Sequence, residues 1–247
     1  MASRFQRTRR GIVARLGPDE REVLASLLRD VSEMLAPEPA ADPAPTDPAT
    51  DAGAGLPGVA ELEAMLGITE GATVPDDPAL ARLLPQAHRD DPEASAEFRR
   101  YTEAGLRARK RSAIDVVLAG LASADAAASA AAQAPDAGQP PAQRAPAAAL
   151  VGALTGSRAP RPDDVVLDDA EATAWMTALN DVRLVVAERL GLRTDDDAAR
   201  IAAIAARPPR PATTEAEATQ AWLASIYDFL TWLQETLVIA VAAGGYR

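Results

Sequence analysis

Apolar residues recur every three or four positions over four long stretches of the chain. This spacing is typical of helices that bury one face. With their capping residues, the predicted helices cover residues 17–36, 91–121, 167–191 and 213–242. Trp175, Leu179, Val182 and Val186 give the buried face of the third helix. The pattern predicts a mainly all-α fold, a helical bundle of about four main helices.

Shorter patterns add smaller elements to this bundle. The turn signal Arg10-Gly11 separates two β-prone segments, residues 5–8 and 12–16, and predicts a short N-terminal β-hairpin. Such a hairpin is marginal alone, so we expect it to lie against the helices. Short helices are predicted at residues 59–66, 77–84 and 195–207.

The last long helix carries apolar residues around most of its circumference. Coverage this wide predicts a central helix that is contacted by several neighbours. A membrane span is the competing interpretation. We do not favour it, because Asp228, Gln234 and Glu235 lie within the segment and each is costly in hydrocarbon.

Two stretches of biased composition separate the packing elements. Residues 37–57 are rich in Pro, Ala and Asp, and residues 122–162 are rich in Ala and Pro. Both compositions favour flexible linkers, although alanine also permits local helix. We therefore predict a single helical domain over residues 1–247 that is interrupted by two flexible linkers.

Composition excludes several kinds of chemistry. The chain has no Cys and one His, His88, which removes disulfides, thiol nucleophiles and His- or Cys-rich metal sites. With 25 basic and 36 acidic residues the net charge is −11, which argues against a general nucleic-acid surface. No apolar run follows Met1, so we expect a cytoplasmic protein with no membrane partner. We predict no enzymatic activity, no metal and no cofactor.

The densest basic run supplies candidate partner-binding residues. They are Arg107, Arg109, Lys110 and Arg111. As an exposed surface, these residues could bind an acidic protein partner or DNA. The net charge of −11 argues against DNA. The alternative, which we favour, is a set of salt bridges to the surplus acids of neighbouring helices.

A second group of polar residues interrupts an apolar helix. The candidates for a polar network or pocket are Asn180, Asp181, Arg183, Tyr227, Asp228 and Glu235. Polar groups must be paired if they are buried, so we expect a network such as Arg183 with Asp228 or Glu235 of the last helix. The alternative is a pocket between helices that binds a partner or a small ligand.

Several segments resemble one known family. They lie within residues 4–27, 77–121, 174–192 and 226–241, and their most specific pieces are Leu83-Leu84-Pro85, Asn180-Asp181-x-Arg183 and Trp232-Leu233-Gln234-Glu235. The chain resembles an actinobacterial domain-of-unknown-function family that includes the oxidative-stress regulator AosR. The resemblance implies a mostly helical fold, no enzymatic activity, no cofactor and a role in stress-responsive transcription.

The regulators in that family are associated with a reactive cysteine pair near the N-terminus. Residues 4–10 contain no cysteine here, so a thiol switch cannot be carried over. We predict a non-enzymatic regulatory protein that acts through protein–protein contacts, with a partner in the transcription machinery. The alternative is a small-molecule-sensing or catalytic helical bundle with a polar pocket between helices. The sequence leaves the oligomeric state open, and a homo-oligomer is compatible with it.

Overall fold

The computed structural model describes residues 2–37, 74–88, 90–133, 161, 164–206 and 214–244. Their elements, in chain order, are β1 (Ser3–Thr8), β2 (Gly11–Arg15), α1 (Pro18–Met34), α2 (Pro78–Leu83), α3 (Pro92–Gln133), β3 (Asp164–Leu167), α4 (Asp169–Arg189), α5 (Asp195–Ala205) and α6 (Glu215–Ala242). The predicted mainly helical fold with an N-terminal hairpin is confirmed. The linker predicted at residues 37–57, beyond Pro37, and the short helix predicted at 59–66 lie outside the described residues.

Helices α3 and α4 begin at capping side chains that lie within their predicted starts. Asp91 Oδ1 accepts a hydrogen bond from Ala94 N at 2.9 Å at the start of α3. Asp168 and Glu171 form a capping box at the start of α4. Helix α3, however, continues past its predicted end at Leu121 to Gln133, because the alanine-rich segment favours helix. The first part of the stretch predicted as a second linker is therefore helical.

The hairpin is part of a three-stranded antiparallel sheet of order β1-β2-β3. The helix predicted to start over Leu167-Asp168-Asp169 is present, with Asp168 as its N-cap and Asp169 as its first residue. Leu167, however, pairs with Ile12 in strand β3, which was not predicted. Val165 and Leu167 are buried while Val166 is exposed, which is the period-two pattern of a half-buried strand. Four residues are too few for this pattern to be distinguished from the start of the helix that follows.

Gly11 joins β1 to β2 where no other residue fits. Its φ is +121°, and a Cβ there would lie 2.4 Å from the carbonyl oxygen of Leu167. A side chain at this position would force β2 away from β3. The edge of the sheet formed by β1 lies against α6. There Phe5 N donates a hydrogen bond to Thr236 Oγ1 at 3.3 Å.

Helix α4 lies at the centre of the core and packs against α1, α2, α3 and α6. Its predicted apolar face is buried, and Trp175 is fully buried with its ring edge-on to Phe5 at 5.7 Å between centroids. The last helix is contacted by several neighbours, as predicted, but it is not central. Helix α6 packs on α4, α5 and β1 with one side only, and its other side is exposed.

Among the described residues, one helix is long and apolar enough to cross a membrane by length and composition alone. It is α3, and not the last helix, for which a membrane span was the competing interpretation. The finding is weak, because core helices of soluble proteins pass the same test. Helix α3 contributes Ile114, Val117 and Leu121 to the buried core.

Candidate functional site

The polar residues of α4 do not form the single network that the sequence predicted. Two residues along a helix correspond to a rotation of about 200°, so Asp181 and Arg183 point to nearly opposite sides of α4 and face different neighbours. Asp228 and Glu235 are exposed on the far side of α6, and neither pairs with Arg183 in the described structure. The network of Arg183 with these two acids is therefore a wrong prediction.

Asp181 faces α3 and pairs with Lys110. Lys110 Nζ donates to Asp181 Oδ1 at 2.6 Å, and the carboxylate is only 1% exposed. Burial raises the pKa of Asp181 above its ordinary value, while the hydrogen bond and charge of Lys110 act to lower it. The second carboxylate oxygen, Oδ2, has no hydrogen-bond partner in the described structure. The pair is thus a buried structural ion pair, incompletely satisfied.

Arg183 faces away from α3 and is half-buried. It forms no hydrogen bond or ion pair within the part of the chain that the structure describes. It lines a cleft of about 240 Å³. The other lining residues are Arg82, Leu184, Ala187, Leu192, Arg193, Thr194, Asp195 and Tyr227. Of the six residues predicted to share a pocket, only Arg183 and Tyr227 meet in this cleft.

Two further arginines of the cleft were not identified from the sequence. Arg82 Nε donates to Glu188 Oε2 at 2.8 Å, and Arg193 Nη2 donates to the other oxygen, Glu188 Oε1. The Glu188 side chain is 4% exposed, so one buried carboxylate lies between two guanidinium groups. Arg82 is 106 positions away from Glu188, and no local pattern could have indicated this contact.

The basic run on α3 divides between structural and free side chains. Arg107 bonds Glu103 and also donates to the carbonyl oxygens of Met34 and Ala36, at the C-terminal end of α1. Cations are favourable at that end of a helix. Lys110 binds Asp181, whereas Arg109 and Arg111 are exposed and without partners in the described structure. Internal salt bridges therefore account for half of the predicted patch.

The exposed side of α6 presents a stripe of alternating acidic and apolar side chains. It consists of Asp228, Trp232, Glu235 and Ile239, which we call the outer face of α6. Their spacing of four, three and four places them on one face of the helix. Ile239 is 69% exposed, and the Trp232 ring stacks on Phe229 at 6.3 Å between centroids. Sequence reasoning missed this surface because it assigned the apolar side chains to the core.

The described side chains place few chemically reactive groups together. Within the described ranges, no three His, Cys, Asp or Glu side chains are grouped so that they could hold a metal ion. The carboxylates of Asp181 and Glu188 each face a cation, as expected of buried acids. What the arrangement offers is binding chemistry, through the cationic cleft and the outer face of α6.

Comparison with known proteins gives one match. A family model described as a domain of unknown function, DUF2017, matches residues 2–241. No curated protein and no solved structure matches the chain. The matched range begins just before β1 and ends in the last turn of α6, so it includes both the cleft and the outer face. The match confirms the coarser part of the resemblance, a domain-of-unknown-function family.

Proposed function

Because the chain belongs to the DUF2017 family, a domain of unknown function, its role has to be inferred from its own surfaces, and we propose a non-enzymatic regulatory protein. It acts by binding another protein. The observation that carries this proposal is the outer face of α6, where large apolar side chains remain in contact with water.

Exposed tryptophans are the strongest sign of a docking surface here. The chain has three Trp residues, and two of them, Trp222 and Trp232, are exposed on the same helix at 50% and 36%. Apolar side chains grouped on a surface mark interaction sites, and Trp is enriched among the residues that dominate binding energy. The first two turns of α6, residues 215–222, are exposed on all sides and extend this surface.

Charge indicates the chemistry of the partner. Asp228 and Glu235 alternate with Trp232 and Ile239, and neither acid has a salt-bridge partner in the described structure. A partner surface with cationic side chains around an apolar strip, such as a basic amphipathic helix, is complementary to this arrangement. A second copy of the chain would place acids against acids, and an anionic lipid surface would be repelled for the same reason.

The regulatory setting rests on the resemblance to the oxidative-stress regulators. We propose that the partner belongs to the transcription machinery and that binding modulates a stress response. Regulation by thiol oxidation is not part of this proposal, since the chain has no Cys. Direct DNA binding is not part of it either, because within the described residues two members of the basic run, Arg107 and Lys110, are engaged in internal contacts and the net charge is −11.

The experiment is site-specific crosslinking in the native cytoplasm. A photoreactive residue replaces Ile239 on the outer face or, as a matched control, Arg109 on α3, which is also exposed and has no partner among the described residues. We expect one protein to be crosslinked from position 239 and not from position 109. Identification of that protein as a transcription component would support the regulatory setting.

A quantitative version compares two variants in capture of that protein. Ile239→Glu should reduce capture at least tenfold, whereas the double change Arg109→Ala with Arg111→Ala should leave it unchanged. Loss of capture only in the arginine variant would move the partner site to α3. Equal capture by all variants would contradict the outer face of α6 as the docking surface.

A further inference from the structure

The Arg183 side chain is half-buried, and no described residue places an anion against it. Its guanidinium has five N–H donors and is left without a hydrogen bond or ion pair in the described structure. Removing a charge from water is costly unless a counter-charge replaces the lost solvation. The cleft at Arg183 is therefore a place where a bound anion would be stabilised.

The charges around the cleft leave a local positive excess. Arg82, Arg183 and Arg193 line it, against one lining acid, Asp195. Glu188 lies between Arg82 and Arg193 and offsets only one of these two charges. The lining therefore carries three arginines against one acid in a chain whose net charge is −11. Such an excess is unexpected for general solubility and favours a specific anion.

The uncharged lining fits the remainder of a small molecule. The Tyr227 hydroxyl forms no hydrogen bond in the described part of the chain and can donate one to a ligand oxygen. Leu184, Ala187 and Leu192 supply an apolar wall. The volume of about 240 Å³ exceeds that of a single oxyanion and is smaller than the common range for drug-sized ligands.

We propose that this cleft binds the phosphate group of a small phosphate monoester. Guanidinium groups bind phosphate through paired N–H donors, and a monoester carries up to two negative charges near neutral pH. Arg183 provides the uncommitted charge, Arg82 and Arg193 provide further donors, and the organic part lies along Leu184 and Leu192. This site is independent of the outer face of α6.

The test is calorimetric titration of the full chain at constant ionic strength with inorganic phosphate, phenyl phosphate and acetate. We expect saturable binding of one phenyl phosphate per chain, weaker binding of inorganic phosphate and weakest binding of acetate. Acetate binding as tightly as inorganic phosphate, or no saturable binding of either phosphate probe, would overturn the proposal.

Variants assign the binding to the cleft. Arg183→Gln should weaken phenyl phosphate binding at least tenfold, whereas Arg109→Gln should not change it. Both variants remove one unpaired arginine, so their net charges are identical and only the position differs. An equal effect of the two variants would show nonspecific attraction and would overturn the site.

A variant that is expected to bind more tightly serves as a control, because a misfolded protein would bind more weakly. Asp195 is the acid that lines the cleft, and it is exposed in the first turn of α5. Asp195→Asn removes repulsion of the ligand and should tighten phenyl phosphate binding about threefold, in the range expected for one partly screened charge. Weaker or unchanged binding in this variant would contradict the proposed position of the phosphate.

Discussion

The two sides of helix α4 use charge in opposite ways. On the side that faces α3, Asp181 is 1% exposed and bonded to Lys110 at 2.6 Å. On the side that faces α5 and α6, Arg183 is half-buried and without a partner in the described structure. The two residues are two positions apart in one polar motif, but one holds helices together and the other faces a cleft.

The difference shows how a polar motif in an apolar helix can combine two roles. Asp181 is buried beside Lys110 of α3, so the charge of Asp181 affects the stability of the fold. Arg183 keeps access to water and has no counter-charge among the described residues, so its charge is available to a ligand. Substitutions on the first side should therefore change the free energy of unfolding, and those on the second side should change binding.

Removal of Lys110 should have the largest effect. In Lys110→Met the carboxylate of Asp181 stays buried without its cation, and we expect the free energy of unfolding to fall by about 3 kcal/mol at pH 7. Urea denaturation of the variant and the wild type measures this loss. The double variant Lys110→Met with Asp181→Leu replaces the pair by apolar groups and should recover most of it. No recovery would mean that the loss comes from packing and not from an unpaired charge.

The same variant should show a distinct pH dependence. Burial already raises the folded pKa of Asp181 above its ordinary value of 3.8, and loss of Lys110 raises it further. The folded state then takes up a proton at a higher pH than the unfolded state does. The destabilisation of Lys110→Met should therefore be full at pH 7 and shrink as the pH falls through the raised pKa.

The comparison of variant with wild type isolates Asp181. Asp169 and Asp197 have lowered pKa values, and they cost stability only as the pH falls below their ordinary range. Those contributions are the same in both proteins and cancel in the difference. A destabilisation that does not shrink between pH 7 and the ordinary Asp pKa of 3.8 would show that Asp181 is not the responsible group.

Glu188 contributes both to stability and to the charge of the cleft. Its substitution should therefore change both the free energy of unfolding and phenyl phosphate binding. Glu188→Gln weakens the contacts to Arg82 and Arg193, which are themselves partly exposed, so we expect a loss of about 1 kcal/mol in urea denaturation. The same change frees cationic charge in the cleft and should tighten phenyl phosphate binding. Weaker binding would show that Glu188 positions these arginines for the ligand and does not compete with it.

Arg183 should matter least to stability. Because it loses no partner, Arg183→Gln is expected to change the free energy of unfolding by no more than about 0.5 kcal/mol. Urea denaturation in phosphate-free buffer measures this directly. A loss as large as that of Lys110→Met would mean that Arg183 also has a structural role and would remove the contrast between the two sides.

The sequence predicted most of the helices because their signals are local. Asp91, Asp168 and Thr214 are capping residues that also mark helix starts in the structure. Strand β3 was missed because its four residues pair with β2, which is distant along the chain. Only the three-dimensional structure shows that Ile12 is opposite Leu167.

The candidate sites were harder to predict because they depend on direction as well as composition. The apolar coverage of α6 indicated burial all round, but its neighbours cover only one side and leave Trp232 and Ile239 exposed. Arg183 was identified as a polar candidate, and its surroundings, Arg82 and Arg193, come from other segments. The sequence showed the type of residue, but it did not show which residues from other segments lie next to it.

The bond from Phe5 N to Thr236 Oγ1 joins residues 231 positions apart. During translation the hairpin emerges with its outer edge uncovered, long before α6, which lies against that edge, is synthesised. Until then β1 can accept a foreign strand, which is the usual route from an open edge to aggregation. The edge of β1 is therefore open to foreign strands until α6 has left the ribosome and packed against it.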